Sequence, residues 1–258
     1  MNKLILPGRV MFAIGIAGLA ILCFVYKDFI VGRPPAWSLP FNLTSIVAYI
    51  SGAILITASV AIIINKKGAR ASMAIAALIF IFSVLRHIPQ FMNDWLNTYK
   101  SVALFGGALI VGSTFILDDP QRYTGNTQSQ RNIFILTGKL FLSTFFVASG
   151  YAHFKFAGFV TDFIPAYIPF RTFWAYFCGV CLIAGGIGIF VPGISKWASL
   201  LSGIMLTGWF LLLHIPRLIA HPTDASDRMG LCESFTFAGI FFVLAGILWN
   251  KKQAKSLY

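Results

Sequence analysis

Charge is scarce in this chain. Only 11% of its 258 residues are Asp, Glu, Lys or Arg, against about 25% in a soluble domain. With 58% hydrophobic residues and a mean hydropathy of +0.81, it cannot cover itself with polar surface. The composition therefore excludes a water-soluble globule and makes the chain an integral membrane protein whose first partner is the lipid bilayer. Acids are scarcer still, 8 against 20 Lys and Arg, for a formal net charge of +12. In a membrane protein such a basic excess sits in cytoplasmic loops beside anionic headgroups. No basic run is long enough to suggest a nucleic-acid partner. Cysteine is limited to Cys23, Cys178, Cys181 and Cys232, all in or beside apolar segments, which excludes a secreted disulfide framework. Phosphate-binding loops, serine triads and HExxH zinc motifs are absent.

What the chain has in abundance is apolar runs. Eight can be read, at 8–26, 44–65, 70–87, 100–117, 132–153, 171–192, 196–216 and 230–249. Each is long enough to cross a hydrocarbon core of about 30 Å as a helix, the form in which backbone groups satisfy themselves in lipid. The first run, preceded by Lys3 and Arg9, resembles a signal peptide. It lacks a clean small-residue cleavage site and has an internal counterpart, so it is expected to stay.

That counterpart belongs to a repeat. Pro35-Ala36-Trp37-Ser38-Leu39-Pro40-Phe41 answers to Pro165-Ala166-Tyr167-Ile168-Pro169-Phe170, and His87-Ile88-Pro89 to His214-Ile215-Pro216. Gly52 and Gly179, and Ala71-Ser72 and Ala198-Ser199, share the offset of 127. The expected fold is an all-α membrane protein of eight transmembrane helices, built as two tandem four-helix bundles of the same orientation. The units are 1–117 and 132–250, joined by a polar linker at 118–131 and followed by a basic tail at 251–258.

Lys and Arg set the expected orientation. The termini and the even-numbered connections hold 12 of the 20, while the other side holds six of the 8 acids. Both termini are then cytoplasmic, in a bacterial-type inner membrane. All four histidines gather at the outer face. The residues expected to hold a ligand there are His87, His153, His214, Arg86, Arg217, Lys155, Asp162 and Tyr167, since polar groups at membrane depth often mark a site. Each His also fits a plainer role, capping its helix at the water boundary. Cys178-Gly179-Val180-Cys181 puts two thiols on one helix face, a candidate catalytic dithiol, or simply small packing residues. Paired histidines could also bind haem or copper, though haem bundles place their axial ligands deeper. Asp224, Asp227, Arg228 and Glu233 read as a solvated loop, and the paired glycines as close helix contacts.

The second half resembles DoxX-like membrane proteins. The resemblance rests on Gly150-x-x-His153-Phe154 closing a helix, a loop with Pro165 and Pro169, a helix running through Gly179 to Gly185-Gly186 and Val191-Pro192-Gly193, and a next helix ending at His214. It covers about 110 residues and reaches the first half through the repeat. It implies a four-helix membrane unit, and for some members quinone-coupled oxidation, a membrane oxidoreductase complex or oxidative-stress handling. The expected function is then a membrane oxidoreductase subunit, a quinone-linked component that binds a small hydrophobic ligand near the outer face and meets a membrane or periplasmic redox partner. Quinone is the first candidate cofactor and haem the second. The alternatives are a permease for a neutral or lipid-like solute and a non-enzymatic scaffold of a membrane complex.

Overall fold

The computed structural model describes residues 3–37, 40–116 and 127–249. Within them the chain is helical, with no strand among the described residues. The helices are α1 (Ile5–Tyr26), α2 (Leu43–Ile63), α3 (Gly68–Phe82), α4 (Trp95–Ile116), α5 (Thr127–Lys155), α6 (Ala157–Phe163), α7 (Arg171–Gly188), α8 (Ser195–Trp209), α9 (Ile215–Ala220) and α10 (Ala225–Trp249). Eight spans are long and apolar enough to cross a membrane: α1, α2, α4, α5, α7 and α10, with α3 extended to Gln90 and α8 continuing through α9 to Ala220. The protein is an all-α, multi-pass membrane protein, as its hydropathy requires.

Some boundaries move. Residues 127–131, read as the end of the linker, form the first turns of α5. Helix α10 begins at Ala225, so Asp227 and Glu233 are not a solvated loop; they are helical and buried, at 1% and 5% exposure. The rest of the linker, 118–126, and the basic tail, 251–258, lie outside the described residues.

The helices pack as a ring. Each spanning helix meets the next, from α1 through α2, α3, α4, α5, α7 and α8 to α10, and α10 returns to α1. Helices α4 and α10 also meet across the ring and are its most enclosed members, 78% buried over their apolar windows against 22% for α8–α9. Matching α1 with α5, α2 with α7, α3 with α8 and α4 with α10 carries the ring contacts onto one another and the α4–α10 contact onto itself. One apolar core runs through both halves, from Phe12 and Leu19 through Leu104 and Phe146 to Phe241.

Glycine lets the two halves close on each other. A Cβ on Gly8 (α1) would stand 2.7 Å from the Gly239 carbonyl oxygen of α10. A Cβ on Gly138 (α5) would stand 2.5 Å from the Gly106 carbonyl oxygen of α4. These crossings are repeats of one another, and both join the first unit to the second. Small residues at such crossings bring backbones close enough for dispersion to hold helices together in lipid, where the hydrophobic effect between them is lost. Ile5 packs against Gly246, so the two described chain ends share one end of the bundle. The opposite end, the histidine end, carries the long connections.

Gly138→Ala should therefore destabilise the fold by about 1–3 kcal/mol, the usual range for overpacking. Gly208→Ala, where nothing lies within 4 Å of the added methyl, should be neutral or slightly stabilising. Unfolding midpoints in detergent compare the two. Equal shifts would refute the seam.

Candidate functional site

The site begins with two prolines. Proline has no N–H to donate four residues back, and its ring crowds the carbonyl there. Ahead of Pro89 and Pro216 the helix widens to single π-turns, Ser83–His87 and Phe210–His214, 127 residues apart. The Ile88 N–H bonds the Ser83 carbonyl and the Ile215 N–H bonds the Phe210 carbonyl, each five residues back. Where Pro216 leaves the Leu212 carbonyl without its helical donor, the Tyr167 hydroxyl supplies one. Such π-turns recur at functional sites because they redirect the side chains they carry. Here each ends on a histidine.

Between these turns α4 and α10 cross. Gly107 and Ile240, 133 residues apart in the repeat, touch there: a Cβ on Gly107 would stand 2.2 Å from Ile240 Cδ1. Two turns nearer the histidine end are Lys100 and Glu233, also 133 apart. Lys100 Nζ donates to Glu233 Oε2 at 3.2 Å, and Arg33 Nε, from the first connection, donates to the same oxygen at 3.0 Å. Arg33 also donates to the Ser226 carbonyl. Lys100 continues to Asn97 Oδ1 at 3.0 Å, and Asn97 to Asp94 Oδ2 at 3.1 Å. Gly230 provides the space: a Cβ on it would lie 3.0 Å from His214 Nδ1 and 3.2 Å from the Arg33 guanidinium. Thus two cations converge on one carboxylate oxygen of a side chain that is 6% exposed, a pairing that offsets the desolvation of all three charges.

Two further arginines brace this end. Arg86 forks onto Asp28 at 2.7 and 2.8 Å and donates to the carbonyls of Phe29 and Pro35, locking the first connection down. Arg217 forks onto Asp227 at 2.7 and 3.2 Å and donates to the Phe163 carbonyl, with its guanidinium 3.7 Å from the Phe163 ring centre.

Several hydrogen-bonding atoms stay unused. Glu233 Oε1, His214 Nδ1 and both ring nitrogens of His87 are buried and have no hydrogen-bond partner. His87 is 1% exposed. The His87 carbonyl accepts from Thr98, two residues before Lys100, and Gly230 sets the His214 ring beside Arg33. Buried polar atoms are nearly always paired, so four left free at this end of the bundle, one of them on the carboxylate itself, mark a place that can receive a polar group.

Of the residues expected to hold a ligand, His87 and His214 lie at the same end of the bundle as Glu233, His87 beside Thr98 of α4 and His214 beside Gly230 of α10. Arg86 and Arg217 flank them, engaged with Asp28 and Asp227. His153 lies apart, between α5 and α7, with its Nδ1 2.8 Å from the Ser149 carbonyl oxygen of its own helix. Lys155 stands over Tyr151 and Phe156 on the surface, and Asp162 is exposed. Cys178 and Cys181 are free thiols; Cys178 Sγ accepts the Trp209 indole N–H at 3.1 Å, one residue before the second π-turn. Among the described residues no group of three or more His, Cys, Asp or Glu could hold a metal ion.

Lys100, Arg33 and Asp28 carry no site expectation from the sequence, and Glu233 is expected there in a solvated loop. The available signal was their rarity: charges within a turn or two of apolar helix ends, in a chain that has few. Arg86→Leu, which installs the residue standing at the matching place in α8's π-turn, should destabilise by about 2–3 kcal/mol. That falls below the full buried-pair penalty because Asp28 is 27% exposed. Asp28→Asn should cost less, since Arg86 keeps its carbonyl acceptors. Thermal midpoints of both variants check this; an unmoved midpoint for Arg86→Leu would sink the clamp.

The comparisons with known proteins fall on the second half. A family described as Domain of unknown function (DUF8561) has a model that matches residues 142–228, from within α5 to the first turn of α10. The match takes in His153, Cys178, Cys181, His214 and Asp227 and stops short of Glu233. The DoxX-like resemblance has no family match of its own. Neither the curated proteins nor the solved structures give a match.

Proposed function

We propose that this protein is a quinone-linked membrane component that holds the polar head of a small hydrophobic molecule between His87, His214 and Glu233. The observation carrying the reading is the set of unpartnered buried atoms around the Lys100–Glu233–Arg33 group. A quinone head offers carbonyl oxygens that accept from imidazole N–H groups, and its reduced form offers hydroxyls that donate to Glu233 Oε1. Reduction of a quinone takes up two electrons and two protons. Glu233 and the histidines provide places for protons; the electrons pass to or from a separate membrane or periplasmic redox partner. Lys100 and Arg33 hold Glu233 in place. The DoxX-like resemblance of the second half supports the redox side of the reading. The Lys and Arg distribution supports a site at the outer face of a plasma membrane, with both termini cytoplasmic.

A second reading, transport of a neutral or lipid-like solute, draws support from the tandem repeat and from a site between its halves. The close crossing of Gly107 and Ile240 beneath the site counts against a wet path through the bundle.

The test uses the full chain in lipid nanodiscs. Binding of a tailless benzoquinone should weaken about tenfold in His87→Ala and again in His214→Ala, each removing about one hydrogen bond to the head. His153→Ala should leave it unchanged. An organic extract of the purified protein should contain quinone, and an absorption spectrum should show no Soret band. Binding indifferent to both His87 and His214 would remove the reading.

A further inference from the structure

The two connections at the histidine end are copies, so each serves as a control for the other. The first is sealed. Phe29, Ile30 and Val31 are buried in the main core, and Phe29 stacks on Phe82 with ring centres 3.8 Å apart. Arg86 then ties Asp28, Phe29 and Pro35 together. In the second half, Trp209 stands where Phe82 does and Leu213 where Arg86 does. No guanidinium clamps this connection from the π-turn. Its apolar residues join a small cluster of their own, separate from the main core: Ile164, Ala175 and Leu213, with Val160, Phe163, Ile168, Trp174 and Trp209 only partly buried. Trp174 and Trp209 meet edge to face at 6.0 Å. Helices α7 and α8 pack less extensively than their counterparts α2 and α3. The cluster abuts the proposed head site, because Leu213 precedes His214 and the Phe163 ring stands edge-on to the imidazole at 6.4 Å.

We infer that this second cluster is the seat of an apolar chain attached to the ligand's head, so that the ligand is a chain-bearing amphiphile reaching the site sideways from the bilayer between α6 and α8. The inference rests on the head site at His87, His214 and Glu233. Its occupant follows from continuity: the partly buried Phe163 and Trp209 of the cluster lead up to His214, and Leu211 and Leu212 on the same turn are more than half exposed on the apolar outside of the helix. A compact solute would use the head site and leave the cluster empty. The fixed first connection cannot serve, because its own side chains already fill the equivalent space. Trp174 and Trp209 are then specificity residues that read the chain and not the head. Their flat, rigid faces offer large apolar contact with little ordering of their own.

The experiment compares two probes on the full chain in nanodiscs, a tailless benzoquinone and the same head with a decyl chain, each corrected for partition into empty nanodiscs. The wild-type protein should bind the decyl probe at least about tenfold tighter, as burial of several methylenes implies. Trp209→Ala should erase most of that advantage and leave the tailless probe within about twofold. His214→Ala should weaken both probes alike. Ile168→Ala, at the edge of the cluster, should act in the same sense as Trp209→Ala and guards against a folding defect in the latter. A decyl advantage untouched by both Trp209→Ala and Ile168→Ala, or none in the wild type, overturns the chain seat and leaves the head site standing. Failure of the wild type to bind either probe overturns both.

Discussion

Glu233 Oε2 accepts from Lys100 and from Arg33, and the histidine end depends on that junction. It joins three parts of the chain that are far apart in sequence: the first connection, the start of α4 and the start of α10. In lipid a lone carboxylate or ammonium at this depth would be costly, so each group needs the other two in place. The crossing of α4 and α10 serves this junction, because the close approach of Gly107 and Ile240 brings the charged turns within reach. The site follows as well. With both cations on one oxygen, the other is left without a hydrogen-bond partner, as are His214 Nδ1 and both ring nitrogens of His87. The same arrangement fixes the histidines, since Gly230 on α10 leaves room for the His214 ring beside Arg33.

Around this junction the two halves diverge from a common plan. The π-turns, the prolines after them and the glycine seams repeat closely. The residues that decide access do not. Arg86 grips one connection through a forked ion pair and backbone carbonyls, whereas Leu213 offers the other only apolar contact. Tyr167 and Arg217 hold the second connection by a few bonds at its edges. Such bonds constrain position while leaving a half-buried aromatic strip beside them. A clamped first connection beside a less buried second one suits a bundle that is to hold charge firmly and admit a hydrophobic molecule from the side.

The eight spans were legible because helix length and hydrocarbon thickness are matched, and a run of apolar residues states both. The repeat was legible because proline and histidine are uncommon in such helices, so His-Ile-Pro recurring at an offset of 127 stands out. His87 and His214 were found for that reason. Glu233 was not, because hydropathy averages over a window, and the polar turn from Asp224 reads as loop until its partners are known. The repeat would not have found them at a fixed offset. Carried into α4, an offset of 127 aligns Lys100 with Asp227, while the actual counterpart is six residues further on because the connection after His214 is longer. Arg33, 200 residues from Glu233, has no local pattern at all. His153 drew notice through the family resemblance and its helix-end position, yet its hydrogen bond is local to α5.

The Lys100–Glu233 pair also says what the duplication makes possible. In two identical four-helix units paired about an axis, the residues facing across that axis are the same. A lysine would meet a lysine, or a glutamate a glutamate, and like charges a few ångströms apart in a poorly screened interior repel by several kcal/mol. Such a pair of units has to keep the position apolar or neutral. Once the units are fused in one chain, the two positions are free to differ, and opposite charges can meet. The pair then does more than hold α4 to α10. It breaks the twofold symmetry, so Arg33 from the first unit finds Glu233 while the second unit sends no matching arginine to Lys100. One carboxylate oxygen is left over on one side, and the site is single instead of double.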